Sequence, residues 1–231
     1  MNLVKILKEG RYDSITRDAV KRIFDHIKKS KIAYDKGRNI GKKESDGFYE
    51  DILHSYDEPL DFYLSLRYKR EKVRGGDFKL NAYAYSSDPD YAIVEVEIVI
   101  NPDSEPKVYS TLNSHIQDAV RHEIEHLTQA GLNKKQGKAK PTRSGTRDKI
   151  SIENKNAYKY FLLRDEIPAM VHGLYKKAKH DKQPLDVTME DYLNIFIKNG
   201  SITRSEKDKT MKAWIAFAKK NLTSSKFSKK Y

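Results

Sequence analysis

The part of the chain that decides the fold reads YAIVEVEIVINPDSEPKVYSTLNSHIQDAVRHEIEHLTQA and covers residues 91–130. Its first ten residues begin apolar and settle into alternation, with Val94, Val96 and Ile98 on one face, which predicts a β-strand. Apolar residues then recur at helical spacing as far as Gly131, a residue that favours the end of a helix. We therefore expect a strand followed by a long amphipathic helix.

The expected helix carries the segment His122-Glu123-Ile124-Glu125-His126. Residues four positions apart project from one face of a helix, so the two imidazoles can bind one metal ion. The chain has no cysteine, which leaves His, Asp and Glu as ligands. Glu123 lies beside the first histidine, where its carboxylate can take a proton from a metal-activated water. The pattern predicts a catalytic zinc (Zn2+) site. The alternative is a surface helix with two chance histidines, which fits an amphipathic helix after a strand less well.

The motif in this setting resembles the zincin metallopeptidases, over roughly residues 90–180. In that superfamily an edge strand precedes the motif helix, and an extended substrate pairs with the strand. The resemblance implies an α+β, zincin-like fold: a small mixed or antiparallel sheet whose edge strand, here residues 93–100, packs against the motif helix, with additional helices around it. It also implies hydrolysis of protein or peptide substrates, with Val96 and Ile98 as substrate-binding residues. The general look is that of small zincins encoded by bacteria and their phages.

The resemblance also bears on the third metal ligand. The metzincin extension requires a histidine shortly after His126, and residues 127–135 contain none, which rules that subclass out. The gluzincin pattern takes a glutamate from a later helix, and Glu166 is the best candidate. The alternatives are Asp165, Glu153 and His172, and an acid at a helix start is also explained by the helix dipole alone.

Zincins often use a further Tyr or His to stabilise the oxyanion of the tetrahedral intermediate. The resemblance therefore makes Tyr160 a candidate catalytic residue, with Tyr158 and Tyr109 as alternatives. The chain has 15 tyrosines, so most of them must be ordinary packing residues.

The remaining sequence suggests three segments within one compact domain: an N-terminal basic helical region (1–60), a zincin-like catalytic core (61–185), and C-terminal helices with a tail (186–231). Within these segments we expect helices from the apolar spacing in five places: residues 46–56, 151–162, 165–179, 188–198 and 204–221. Residues 133–149 read as a basic loop. Such a loop could act as a lid or favour acidic substrates, and the alternative is a solvated connection without a role in binding.

The chain of 231 residues has a formal net charge of +12. Such a charge favours an anionic partner, and charge alone does not choose among nucleic acid, an acidic protein and a membrane surface. The alternative is a solvated basic surface with no dedicated partner. The first residues do not form a signal peptide, and no apolar run approaches the roughly 20 residues of a membrane span. We therefore expect a cytoplasmic protein without a membrane partner. A second hypothesis is a non-catalytic zincin-scaffold protein with a binding or structural role, in which nucleic acid could be the partner.

Overall fold

The computed structural model describes residues 12–35, 42–43, 47–56, 60, 62–74, 76–88, 91–105, 107–129 and 157–228. Its secondary structure is mixed α+β, in agreement with the sequence patterns. Two compact units make up the chain: one is Ser14–Lys140, and the other combines Met1–Asp13 with Pro141–Tyr231. These boundaries lie elsewhere than those of the three expected segments. The expected loop at residues 133–149 lies outside the described residues.

The first unit holds a sheet and two long helices. Its elements are α1 (Asp13–Asp35), β1 (Lys42–Lys43), β2 (Tyr49–Tyr56), β3 (Phe62–Arg70), β4 (Phe78–Asp88), β5 (Tyr91–Ile100), a 3-10 helix (Pro102–Ser104) and α2 (Tyr109–Gln129). The predicted strand and the predicted motif helix are thus confirmed as β5 and α2. The helix expected at residues 46–56 is wrong, because this segment pairs with β3 and forms β2 instead.

The five strands follow the order β1-β2-β3-β5-β4. β5 pairs in parallel with β3 and antiparallel with β4, so that Val96 faces Leu66 on one side and Ala82 on the other. The prediction that residues 93–100 form an edge strand is therefore wrong. The pattern within β5 reports only which side chains are buried, whereas its place in the sheet depends on β4 pairing with its outer edge. The edge next to β5 is formed by β4.

The central position of β5 also overturns the expectation that Val96 and Ile98 bind substrate. Both side chains have no exposed surface, and the backbone at both positions pairs with strands on either side. Their burial is what the alternation predicts for an inward face. They are core residues of the first unit.

Apolar stripes of both long helices are buried in this unit. α1 contributes Ala19, Val20, Ile23, Phe24 and Ile27, and α2 contributes Leu112, Ile116, Val120, Ile124 and Leu127. α2 packs against β4 and β5. α1 is tied to β2 by a hydrogen bond of 2.7 Å from the Tyr56 hydroxyl to the Asp18 carboxylate. The motif helix α2 thus packs on the sheet through contacts with β4 and β5.

The second unit consists of helices: α3 (Ala157–Phe161), α4 (Glu166–Asp181), α5 (Leu185–Lys198) and α6 (Arg204–Asn221). The expected helices at 165–179, 188–198 and 204–221 are confirmed. Of the helix expected at 151–162, residues 157–162 are described, and Ala157–Phe161 are helical. The unit packs around Trp214, which is fully buried and donates its indole N–H to the Phe161 carbonyl at 3.0 Å. Thr203 and Glu206 form a capping box at the start of α6. Within the described chain, no helix has the length and apolar character of a membrane span.

Candidate metal centre

The two motif histidines lie one turn apart on α2 and turn their rings toward each other. The Nε2 atoms of His122 and His126 are 2.9 Å apart, and the ring centroids are 4.7 Å apart. Two nitrogens bound to one tetrahedral zinc at about 2.0–2.1 Å would lie about 3.3–3.4 Å apart. The pair therefore needs to open by only a few tenths of an ångström to share a metal ion.

The hydrogen bonds of His126 define which nitrogen is available to a metal. Its Nδ1 lies 3.2 Å from Oε1 of Gln129, an oxygen that can only accept a hydrogen bond. Nδ1 of a neutral His126 therefore carries the proton and Nε2 carries the lone pair. The contact of 2.9 Å then requires His122 to donate from its Nε2. Metal binding through both Nε2 atoms requires that the His122 proton leave Nε2.

Glu123 extends this cluster on the same helix. One of its carboxylate oxygens lies 3.9 Å from Nε2 of His122, and its side chain is 12% exposed. The carboxylate is thus close to the metal-ligating nitrogen and still reachable from solvent. This is the position that a proton acceptor beside a metal needs.

Tyr83 on the edge strand β4 lies within electrostatic reach of Glu123. Burial raises the pKa of the Tyr83 hydroxyl, and the carboxylates of Glu97, Glu95 and Glu123 raise this pKa further. The side chain nevertheless remains 40% exposed. Sequence reasoning did not select Tyr83, although an aromatic residue in the strand-like stretch before β5 was the available signal. Gln129 was also missed, and its signal was an amide three residues after His126.

Glu166 is the first residue of α4 and has no exposed surface. One nitrogen of His122, one nitrogen of His126 and one carboxylate oxygen of Glu166 lie within 4.8 Å of one another. This His-His-Glu group could hold a metal ion. The donor set by itself does not define which metal.

The alternatives for the third ligand have other surroundings or lie outside the described residues. Glu153 lies outside the described residues. His172 places its ring edge-on to Phe217, with 5.9 Å between the ring centroids. Asp165 occupies the N-cap position of α4, where its side chain makes no capping hydrogen bond. In the part of the chain that the structure describes, only the group containing Glu166 has the arrangement of a possible metal site.

The tyrosines proposed to stabilise the oxyanion all have packing contacts. Tyr160 lies in α3, with its ring 6.1 Å from that of Phe161, and both Tyr160 and Tyr158 pack against the apolar cluster of the second unit. Tyr109 opens α2 and packs edge-on to Phe24 at 6.2 Å. A catalytic role of Tyr160 stays a prediction, since packing accounts for the position of its ring.

Comparison with known proteins gives no relative from which a function could be transferred. No protein-family model matches the chain, and no curated protein or solved structure is similar to it at a significant level. Any functional argument therefore depends on the chemistry of the candidate site.

Proposed function

We propose that the protein is a zinc-dependent metallopeptidase in which His122, His126 and Glu166 hold the metal and Glu123 is the general base. The observation that carries this proposal is the donor set, whose three ligand atoms lie within 4.8 Å of one another. Two imidazoles and one glutamate are the protein ligands of a well-known type of catalytic zinc site, and three protein ligands leave a coordination position for water or substrate.

We assign zinc to the site because the neighbouring carboxylate suits the hydrolytic chemistry of a zinc site. Two histidines and one carboxylate also bind iron in oxygenases, so the donor set alone fits both metals. A second carboxylate directly beside a ligating histidine supplies the proton acceptor that hydrolysis needs. Glu123 has this position, with 3.9 Å between its carboxylate and the His122 nitrogen.

The proposed reaction is hydrolysis of a peptide bond. When bound, zinc would activate a water molecule and polarise the substrate carbonyl. Glu123 accepts a proton from the attacking water as the new C–O bond forms. It then delivers this proton to the amine nitrogen as the C–N bond breaks, which gives a carboxylic acid and an amine. Transfer of the acid proton to the amine leaves a carboxylate and an ammonium group. The partial exposure of Glu123 fits a group that exchanges protons with bound water.

Gln129 positions one of the metal ligands in this scheme. By accepting from Nδ1 of His126, it holds the tautomer in which Nε2 carries a lone pair. Partners of this kind orient the ring and raise the basicity of the ligating nitrogen. The amide is therefore a positioning group and does not contact the substrate.

We assign substrate binding to β4 instead of β5, because β5 is paired on both sides within the sheet. β4 is the terminal strand of the described sheet and packs against α2, which carries the motif. A terminal strand has backbone groups on one side that can pair with an extended peptide. Tyr83, exposed on this strand and within reach of the Glu123 charge, would contact such a peptide. The substrate class is accordingly a protein or peptide in extended conformation, bound by zincin-like strand addition.

A peptide-library digest read by mass spectrometry tests the proposal. The wild type and Glu123→Gln are compared at matched zinc occupancy. Since general acid–base catalysis contributes about 100- to 10,000-fold, cleavage should fall by that factor while zinc stays bound. Glu125→Gln is the matched control, because Glu125 bonds to Arg121 at 3.0 Å on the same helix and should retain near wild-type turnover.

Three results would contradict the proposal. Equal cleavage by wild type and Glu123→Gln would assign the activity to a contaminant or to another mechanism. Elemental analysis without zinc after reconstitution, or with iron bound in preference to zinc, would remove the hydrolytic scheme. Zinc binding without cleavage across a broad library would favour the non-catalytic scaffold hypothesis.

A further inference from the structure

A cavity of about 510 Å3 lies in the second unit, where the end of α4 meets the start of α5 and the segment after α6. Its volume is within the range of sites that bind small molecules. Lys179, which lines it, is 13 residues from Glu166 along α4, a distance of about 20 Å at the rise of an α-helix. The cavity is therefore separate from the candidate metal centre.

The floor of the cavity is apolar and aromatic. It includes Tyr175, Ala178 and Leu185, which are 5%, 3% and 1% exposed. The Tyr175 hydroxyl is hydrogen-bonded to the Ser224 hydroxyl at 2.5 Å, which fixes the ring against the segment that follows α6. These side chains give the cavity an apolar wall, against which an apolar or aromatic body can pack.

Three lysines, Lys179, Lys182 and Lys226, also line the cavity. No lining residue in the described part of the chain is acidic. The ammonium of Lys179 lies 4.5 Å from the centre of the Tyr175 ring, and it also lies 3.7 Å from a carboxylate oxygen of Asp13. Three cations around one apolar floor make a region of positive potential that attracts an anion.

Lys182, one of the lining lysines, has an unusual backbone conformation. Lys182 follows α4 with φ 56° and ψ 34°, in the left-handed region, and no other described residue except glycine has a positive φ. A side chain in this region is disfavoured relative to glycine, because its Cβ crowds the backbone. Glycine or asparagine is the usual residue at this position of a helix end. The chain instead has a lysine there, and this lysine lines the cavity.

We propose that this cavity binds a small organic anion, consisting of an apolar or aromatic body that carries one carboxylate or phosphate group. The body lies on the floor formed by Tyr175, Ala178 and Leu185. The anionic group lies among the ammonium groups of Lys179, Lys182 and Lys226. The proposal does not depend on zinc or on the peptidase function, because every residue it uses is remote from the motif along the chain and along α4.

Binding of four probes to the full chain, measured by isothermal titration calorimetry, tests this inference. The probes are phenyl phosphate, 3-phenylpropanoate, the neutral 3-phenylpropanol and inorganic phosphate. At least one of the two organic anions should bind about tenfold more tightly than the neutral alcohol and than inorganic phosphate. Only the organic anions can contact both the apolar floor and the three lysines. The better of the two identifies the anionic group. Binding should weaken as salt rises and should be the same with and without zinc.

Variants of the lysines provide the second arm of the test. Lys182→Gly and Lys226→Gln should each weaken binding about two- to fivefold, as expected for exposed charges. The double variant should weaken binding about tenfold. Lys182→Gly leaves a residue that favours the left-handed backbone, so its thermal stability should be retained or raised. The matched control is Lys212→Gln, at an exposed position of α6, which should bind the probe like the wild type.

Three outcomes would overturn the inference. The neutral alcohol binding as tightly as the anions would reduce the cavity to an apolar crevice. No heat of binding and no shift of the Leu185 or Ser224 amide resonances with any organic anion would remove the site. An equal loss in Lys212→Gln would mean that the general charge of the protein, and not this cavity, attracts the probe.

Discussion

Replacing Glu166 by glutamine separates its proposed role as a metal ligand from its role in packing. The side chain is fully buried, and the substitution keeps its shape while removing the charge. Zinc that binds only the folded state stabilises it by about 2.7 kcal/mol when the free zinc is 100 times the dissociation constant. For a chain of 231 residues this raises Tm by about 5–11 °C, since 1 kcal/mol corresponds to about 2–4 °C.

The variant should lose most of this stabilisation. If the dissociation constant rises about 100-fold, the same zinc concentration equals the new constant and stabilises by only about 0.4 kcal/mol. The shift of Tm with zinc then falls to about 1–2 °C. Each zinc-free protein serves as the reference for its own shift, so that a change in packing stability is separated from the loss of zinc binding.

Differential scanning calorimetry with and without zinc measures both effects, and Asp165→Asn is the matched control. Asp165 precedes Glu166 directly and is partly exposed, so its variant should retain the full zinc shift. An undiminished shift in Glu166→Gln would refute the reasoning that its carboxylate is the third ligand. A shift lost in Asp165→Asn alone would transfer that assignment to Asp165.

Three further predictions concern the motif helix, the first unit and the substrate strand. Gln129→Leu should weaken zinc binding about 10- to 100-fold in a chelator competition, whereas Gln117→Leu, which removes an amide bonded to Asn113 at 3.0 Å on the same helix, should not. Burial lowers the pKa of His26, with Asp51 opposing and Lys29 supporting the shift. The unfolded chain thus binds this proton more readily, so the contribution to stability is present above about pH 6.5 and is lost as the pH falls through the folded-state pKa. Urea unfolding between about pH 7 and pH 5 should therefore show a steeper loss for the wild type than for His26→Gln, and parallel curves would contradict this. Methylating successive backbone nitrogens of a cleaved peptide should impair cleavage at every second position, because alternate N–H groups of an added strand face β4; a uniform effect would argue against strand addition.

The local part of the site could be predicted from sequence because it is encoded within one helix. Spacing of four residues places His122 and His126 on one face wherever that segment is helical, and the apolar stripe of α2 makes it helical. Glu123 follows from the same geometry. The strand before the helix was also predictable, since alternation reports burial of one face. These features need no knowledge of which other segments lie nearby.

The position of β5 could not be predicted in this way. An edge strand and a central strand that face one helix layer can show the same alternation, because that pattern is set by burial of a face and not by pairing along the edges. The edge position was expected from the zincin resemblance, and Glu95 and Glu97 lie on the other face of the strand. The structure accommodates Glu97 by hydrogen bonds from Arg67 at 2.6 Å and Asn81 at 3.2 Å, on the two neighbouring strands. Charged residues on a sheet face are thus compatible with a central strand when cross-strand partners pair them.

The assignment of Glu166 depends on a different kind of information from that of the histidines. Glu166 lies 40 residues after His126, and no periodic pattern between them predicts that the two side chains meet. Its assignment as a ligand therefore depended on the zincin resemblance and on its place at the start of a helix. A dipole-favouring acid at a helix start is normally exposed, whereas Glu166 has no exposed surface. Burial of a carboxylate is costly unless a charge or hydrogen bonds balance it, and a divalent cation shared with two imidazoles would provide that balance. The distance of at most 4.8 Å between its carboxylate oxygen and one nitrogen of each histidine argues for a ligand role more strongly than its place in the sequence does.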